Sequence, residues 1–146
     1  MTGFRKIDEG FFASPQISVA DVSQAAAMGI GTIVNNRPEG EADDQPAGSD
    51  IEAATKAAGL NYVAIPVGHS GFSMPQVDAM SEVLAKADRP VLGFCRSGTR
   101  STLLWSLAQA KQGRDPDEIA ASAEAGGYSI DPVRPTVDML AGKSSD

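Results

Sequence analysis

The chain has 146 residues, 42% of them hydrophobic and 21% charged, and its formal net charge at pH 7 is −7. This length predicts one domain covering residues 1–146, and the negative charge argues against nucleic acid or an anionic membrane as a partner. No apolar run approaches the ~20 residues that span a bilayer. A single cysteine excludes an internal disulfide, and the absence of an apolar leader at the N-terminus agrees with a cytoplasmic protein. One cysteine and one histidine cannot form a Cys/His zinc site, so we expect neither a metal nor a cofactor.

Strand-like and helix-like segments alternate along the chain. Two short strands flank the turn Asp8-Glu9-Gly10, and three further strands are indicated by apolar or β-branched runs. The helices are indicated by apolar residues at helical spacing, with Ser18, Ser49 and Asp115 as N-caps. The predicted strands are 4–7, 10–13, 31–36, 60–67 and 90–94, and the predicted helices are 19–28, 50–58, 74–84, 102–108, 116–125 and 131–140, before a frayed tail at 142–146. Because the crossovers are helical, we expect an α/β fold with a mainly parallel central sheet and helices on both faces.

The only cysteine, Cys95, lies between a predicted strand and a predicted helix, in a loop of small and basic residues. Amides at a helix N-terminus bind anions, and Gly98 allows a positive φ. Arg100 adds a planar set of donors suited to oxyanions. Such surroundings favour a thiolate, so Cys95 is the candidate nucleophile and Arg100 its catalytic partner. The residues expected to hold the anion are Arg96, Ser97, Gly98, Thr99 and Ser101. The alternative is a cysteine that only fills the core, but a core thiol does not need the Arg, Gly, Arg and Ser that follow.

Two more candidates follow other strands of the predicted sheet, at the ends that line the ligand crevice in open α/β folds. Arg37 begins a long acidic loop, where it either adds a second cation to the site or is held by nearby carboxylates. His69 follows the strand predicted at 60–67. It is a candidate catalytic acid, because its ordinary pKa near 6.5 suits proton transfer. A surface histidine without catalytic function is the alternative.

The run Cys95-Arg96-Ser97-Gly98-Thr99-Arg100 resembles the rhodanese signature Cys-Arg-x-Gly-x-Arg/Thr. Four residues separate Cys95 from Arg100, whereas protein tyrosine phosphatases have five in that place. In rhodaneses the cysteine carries sulfane sulfur as a persulfide, which the loop amides stabilise. The shorter loop encloses a smaller cradle, and we expect it to suit a terminal sulfur better than a tetrahedral phosphate.

Other stretches resemble the beta-lactamase-hydrolase-like, phosphatase-like family of bacteria. They are Ser14-Pro15-Gln16, residues 32–41, 59–67 and 95–101, Gly126-Gly127-Tyr128 and residues 131–135. The resemblance implies the fold of dual-specificity phosphatases. It also implies, as a possible partner, a persulfide dioxygenase of metallo-β-lactamase type, because some family members are fused to one or encoded beside one.

The resemblance assigns Cys95 as the nucleophile, Arg100 as the loop arginine and Ser101 as the hydroxyl that helps the thiolate leave. Dual-specificity phosphatases also carry an aspartate general acid on the loop that here covers residues 67–71, which contain no carboxylate. Cleavage of a phosphate ester needs a proton donor for the leaving alkoxide, whereas a thiolate leaves unaided.

Three functions remain open at this point. The favoured one is a rhodanese-like sulfurtransferase that moves sulfane sulfur from a small anionic donor, such as thiosulfate, through a Cys95 persulfide. The alternative is a cysteine-dependent phosphatase in which a phosphorylated substrate forms a phosphocysteine, with His69 or an acid of residues 39–44 as the proton donor. The third is a non-catalytic anion-binding module.

Overall fold

The computed structural model describes residues 3–68 and 70–142. Five strands form one sheet: β1 (Arg5–Asp8), β2 (Phe11–Ser14), β3 (Thr32–Asn35), β4 (Asn61–Ala64) and β5 (Val91–Phe94). Their order across the sheet is β1-β2-β5-β3-β4. β1 pairs antiparallel with β2, and every other pair is parallel.

Six helices connect or follow these strands in the described residues. They are α1 (Val19–Ala27), α2 (Gly48–Ala57), α3 (Met74–Lys86), α4 (Thr99–Lys111), α5 (Pro116–Ala125) and α6 (Arg134–Leu140), with a 3₁₀ turn at Asp131–Val133 before α6. No helix among the described residues is both long enough and apolar enough to cross a bilayer.

The sheet is covered on both faces because neighbouring strand residues point to opposite sides. Ile33 and Leu92 belong to the core under α1 and α2. Val34 and Val91 belong to the larger core under α3 to α6, where Phe11 stacks on Trp105 with ring centroids 5.7 Å apart. The predicted α/β fold, with its mainly parallel sheet and two helical layers, is confirmed.

The parallel register places the site. Ser14 at the end of β2 and Asn35 at the end of β3 are both in register with Phe94 at the end of β5. Cys95 therefore leaves the middle strand of the sheet with a neighbouring strand end on each side.

The structure corrects several element boundaries. α4 begins at Thr99, inside the predicted loop, and runs to Lys111, because Gly98 alone makes the turn into the helix. The predicted Ser49 cap is wrong: α2 begins at Gly48, whose amide donates to both carboxylate oxygens of Glu39 at 2.9 and 3.2 Å. The strands predicted at 31–36 and 60–67 shorten to β3 and β4. Of the predicted tail, residues 143–146 lie outside the described residues.

Candidate active site

Cys95 is fully buried directly after β5. Its amide donates to the carbonyl of Ser14 at 3.3 Å, which ties the start of the loop to β2. Its Sγ accepts the amide hydrogen of Gly98 at 3.1 Å. The sulfur is therefore not enclosed by hydrocarbon alone, because an N–H of the loop points at it, and such a donor interacts most strongly with a charged acceptor.

Gly98 is the residue that turns the loop into α4. Its φ is +93°, in the left-handed region that L side chains rarely adopt. A Cβ at this position would also overlap the hydroxyl of Tyr128, which donates to the carbonyl of Ser97 at 3.0 Å. Tyr128 lies in the segment after α5, 31 residues from Ser97, so no local pattern indicated that it would support the loop.

We expect the Gly98→Ala variant to lose at least about 2 kcal/mol of stability, because backbone strain of about 1 kcal/mol and a steric overlap add together. Gly113→Ala is the matched control, since Gly113 has the same φ of +93° with nothing within 4 Å of an added Cβ. Chemical denaturation of both variants measures the difference. Equal losses in the two variants would show that Tyr128 does not constrain the loop.

Arg100 lies in the first turn of α4, and its guanidinium is held from two sides. Nη1 and Nη2 donate to the two carboxylate oxygens of Glu41, both at 2.8 Å, and Nη1 also donates to the carbonyl of Val67 at 2.6 Å. A bidentate pair of this kind fixes the plane of the guanidinium. The pKa of Arg100 is raised, first by its hydrogen bonds to Glu41 and further by the charges of Cys95 and Glu41, against the opposing effect of burial. The guanidinium of Arg100 is therefore close enough to Cys95 for the two groups to interact electrostatically.

The carboxylate of Glu41 forms ion pairs with two arginines, Arg37 and Arg100. Hydrogen bonding to Arg100 is the largest cause that lowers the pKa of Glu41 from 4.5 to about 2, with Arg37 adding to it against the opposing effect of burial. Glu41 is therefore ionised at neutral pH and has no proton to give. Glu39, the other glutamate of the 39–44 loop, binds the amide of Gly48.

Arg37 is buried, and its side chain is used within the fold. Its Nε donates to Glu41 at 3.0 Å and its Nη1 donates to the side chain of Gln16, also at 3.0 Å. Of the two alternatives for Arg37, the structure has the one in which a nearby carboxylate holds it. Among the described residues, Arg37 is linked to Arg100 through Glu41.

Ser101 is buried in α4 with its hydroxyl directed at Asn36. Oγ donates to Oδ1 of Asn36 at 2.7 Å, and Nδ2 of Asn36 donates to the carbonyl of Ile65 at 2.9 Å. Because that carbonyl can only accept, the amide orientation of Asn36 is fixed, and so is the direction of the Ser101 hydrogen. The hydroxyl that the family resemblance assigns to the leaving thiolate donates to Asn36 in this conformation. Asn36 follows β3 and joins the site across 65 residues.

The other loop residues that were predicted to bind the anion lie at the protein surface. Arg96, Ser97 and Thr99 are exposed. The hydroxyls of Ser97 and Thr99 lie 3.0 Å apart, and the amide of Thr99 donates to Oγ of Ser97 at 3.3 Å. Ser97 and Thr99 therefore hold each other at the exposed N-terminus of α4.

His69, the predicted catalytic acid, lies outside the described residues. Within the two described segments, no group of three or more His, Cys, Asp or Glu side chains is arranged to hold a metal ion.

Known proteins are similar to this chain in sequence and in fold. Residues 3–112 match the family model described as the phosphatase-like domain of beta-lactamase hydrolase-like protein. A beta-lactamase hydrolase-like protein of Agrobacterium fabrum is 34% identical over 109 residues, which are 75% of this chain and 25% of that protein. The chain thus spans about a quarter of the length of that relative.

Two solved structures extend the comparison. A Neisseria meningitidis protein described as a candidate phosphatase superposes with a TM-score of 0.81 at 34% identity, covering 96% of this chain and 99% of its own. TpbA of Pseudomonas aeruginosa, solved with bound phosphotyrosine, superposes with a TM-score of 0.63 at 17% identity, covering 99% and 91% of the two chains. The fold is therefore that of cysteine phosphatases.

Proposed function

Because this chain belongs to the family of phosphatase-like domains of beta-lactamase hydrolase-like proteins, we propose that it is a cysteine-dependent phosphatase. The observation that carries the proposal is the pairing of Arg100 with Glu41, which fixes a guanidinium beside the sulfur of Cys95. Transfer of a phosphoryl group depends mainly on positioning and on fixed donors around its oxygens. The amides that begin α4 and the free donors of Arg100 supply them.

The proposed reaction has two steps. In the first, the Cys95 thiolate attacks phosphorus, an S–P bond forms, and the P–O bond to the leaving group breaks with its electron pair on oxygen. In the second, water attacks phosphorus and loses a proton to solvent. The S–P bond then breaks and the thiolate and inorganic phosphate are released. Both transition states place charge on the equatorial phosphate oxygens, where the loop amides and Arg100 bind them.

The leaving oxygen receives no proton from the carboxylates that the structure places around Arg100. Glu41 is held ionised by two arginines, and residues 67–71 contain no acid other than His69. We therefore expect aryl phosphates, whose phenolates leave without a proton, to be hydrolysed at least about 10²-fold faster than alkyl phosphates. Measuring kcat/KM for p-nitrophenyl, phenyl and alkyl phosphates tests this dependence on the leaving group.

The His69→Gln variant tests whether His69 supplies a proton to the leaving oxygen. If His69 donates the proton, the variant loses activity towards phenyl phosphate and keeps it towards p-nitrophenyl phosphate. If no residue donates a proton, the variant keeps its activity towards both phenyl phosphate and p-nitrophenyl phosphate. Equal rates for aryl and alkyl phosphates in the unmodified protein would contradict the account, because they require an efficient acid.

A second candidate, the rhodanese-like sulfurtransferase, is favoured by one observation: four residues separate Cys95 from Arg100, as in the rhodanese signature. Here Cys95 takes the outer sulfur of thiosulfate, sulfite leaves, and cyanide then removes the sulfur as thiocyanate. Release of thiocyanate that is lost in Cys95→Ser would support this function. We propose a persulfide dioxygenase as a partner only if this second candidate is the function. The longer relatives that this chain matches are named beta-lactamase hydrolase-like proteins.

A further inference from the structure

Arg5 lies at the same edge of the sheet as Cys95, although it is near the other end of the sequence. Arg5 is the first residue of β1 and is paired with Ala13, one residue before the end of β2. Because β1 runs antiparallel to β2, the start of β1 reaches the edge where β2 ends. Ser14, the last residue of β2, is in register with Phe94 and accepts the amide hydrogen of Cys95.

The Arg5 side chain is on the face of the sheet that α5 covers. Ile7, two residues on, points to the same face and packs against Gly126, where an added Cβ would overlap it. An added Cβ on the next residue, Gly127, would lie 3.4 Å from Nη1 of Arg5. The guanidinium therefore extends along the Gly126–Gly127 turn, towards Tyr128.

Tyr128 connects Arg5 to the active-site loop. Its hydroxyl hydrogen is donated to the carbonyl of Ser97, so its oxygen is left to accept. Burial raises the pKa of Tyr128, the positive charge and hydrogen bonding of Arg5 lower it, and negative charge on Cys95 raises it. Tyr128 is therefore close to Arg5 on one side and to Cys95 on the other.

The charge of Arg5 has no anion to neutralise it in the described part of the chain. Arg5 is exposed, and none of the ion pairs formed by the described residues involves it. The same holds for Arg96, which is exposed at the mouth of the loop and whose carbonyl accepts the amide of Gln16, just beyond β2. In a chain of net charge −7, these cations lie near the loop that is proposed to bind the reacting phosphate.

We propose that Arg5, positioned by Tyr128, forms with Arg96 a second anion-binding subsite, which takes a carboxylate or phosphate carried by the same substrate whose reacting phosphate lies over Cys95. The inference rests on the proposed function and specifies its substrate class as phosphate monoesters with a second anionic group. Arginine suits this task because its donors match either oxyanion and its charge persists at every physiological pH.

Binding to the Cys95→Ser protein tests the subsite without turnover. Calorimetry compares phenyl phosphate with carboxyphenyl phosphate and with a phenylene bisphosphate. We expect one or both of the ligands with a second anionic group to bind about 3- to 10-fold more tightly than phenyl phosphate, as for a charged pair that stays partly in water. Arg5→Gln in the same background is expected to remove this preference and to leave the affinity for phenyl phosphate unchanged.

Lys6→Gln is the matched control, because Lys6 is the next residue of β1, points to the other face and is paired with Glu9 at 2.8 Å. It should keep the preference, and Arg5→Lys should restore part of it. If phenyl phosphate binds but the protein shows no preference, or if Arg5→Gln weakens all ligands equally, the subsite is overturned and the proposed function stands. If phenyl phosphate itself does not bind, both are overturned.

Discussion

The Cys95→Ser variant is expected to lose at least about 10⁴-fold in kcat for aryl phosphate hydrolysis, because a serine hydroxyl stays protonated where the thiolate attacks phosphorus. The folded structure should be retained, since the two side chains have nearly the same size and the hydroxyl can accept the amide of Gly98. Steady-state assays with p-nitrophenyl phosphate measure the loss.

Phosphate binding to Cys95→Ser is the control for this experiment. The loop amides and Arg100 remain, so the variant should bind phosphate at least as well as the unmodified protein. Retained hydrolysis in Cys95→Ser would place the chemistry elsewhere. Binding without hydrolysis in the unmodified protein would identify the loop as an anion-binding module.

The Glu41→Gln variant is expected to have the second largest effect. Glu41 is 11% exposed, and its loss leaves the buried Arg37 and the mostly buried Arg100 without their anion. Removing one partner of such a network costs about 2–4 kcal/mol of stability. It also frees the guanidinium plane of Arg100, so we expect kcat/KM for aryl phosphates to fall about 10²-fold. Denaturant unfolding and steady-state kinetics measure the two effects.

Glu82→Gln is the matched control, because Glu82 is exposed and its pair with Lys86 at 2.8 Å is on the surface. Such pairs contribute about 0–1 kcal/mol, so the control should be nearly neutral. Equal effects of the two substitutions would show that the Glu41 pair does not position Arg100.

The effect of Glu41 on stability should also depend on pH. The pKa of Glu41 is about 2 in the folded chain, below its ordinary 4.5, so the folded state binds fewer protons than the unfolded state between these values. The stabilisation is therefore complete above about pH 5 and is lost as pH falls towards about 2. The difference in unfolding free energy between the unmodified protein and Glu41→Gln should shrink over that range.

The sheet and the position of Cys95 at the end of a strand could be predicted because both depend on local patterns. Alternating strands and helices require parallel pairing, and parallel pairing brings strand ends to one edge. That argument predicted Arg37, His69 and Cys95 at one edge of the sheet, whereas the loop motif alone placed Arg100 near Cys95. It could not place the start of β1 at that edge, because only an antiparallel strand reaches the edge with its first residue.

The supports of the loop could not be predicted, because each is a contact between distant segments. Glu41 meets Arg100 across 59 residues, and the sequence indicated only that carboxylates of this loop could hold Arg37. Tyr128 and Asn36 were present in the stretches that resemble the family, but nothing in those stretches indicates which loop atom each one holds. The same reason explains the wrong cap of α2, where a glutamate nine residues earlier replaces the local serine.

The central claim is that Cys95 forms a covalent bond to phosphorus. Mass spectrometry of the whole protein, mixed briefly with p-nitrophenyl phosphate and quenched with acid, tests it most directly, with thiosulfate in a parallel sample. We expect a gain of one phosphoryl group on Cys95, absent from Cys95→Ser, and no lasting sulfur adduct. No phosphoryl adduct, together with a gain of one sulfur atom that cyanide removes, would contradict the account and identify a sulfurtransferase.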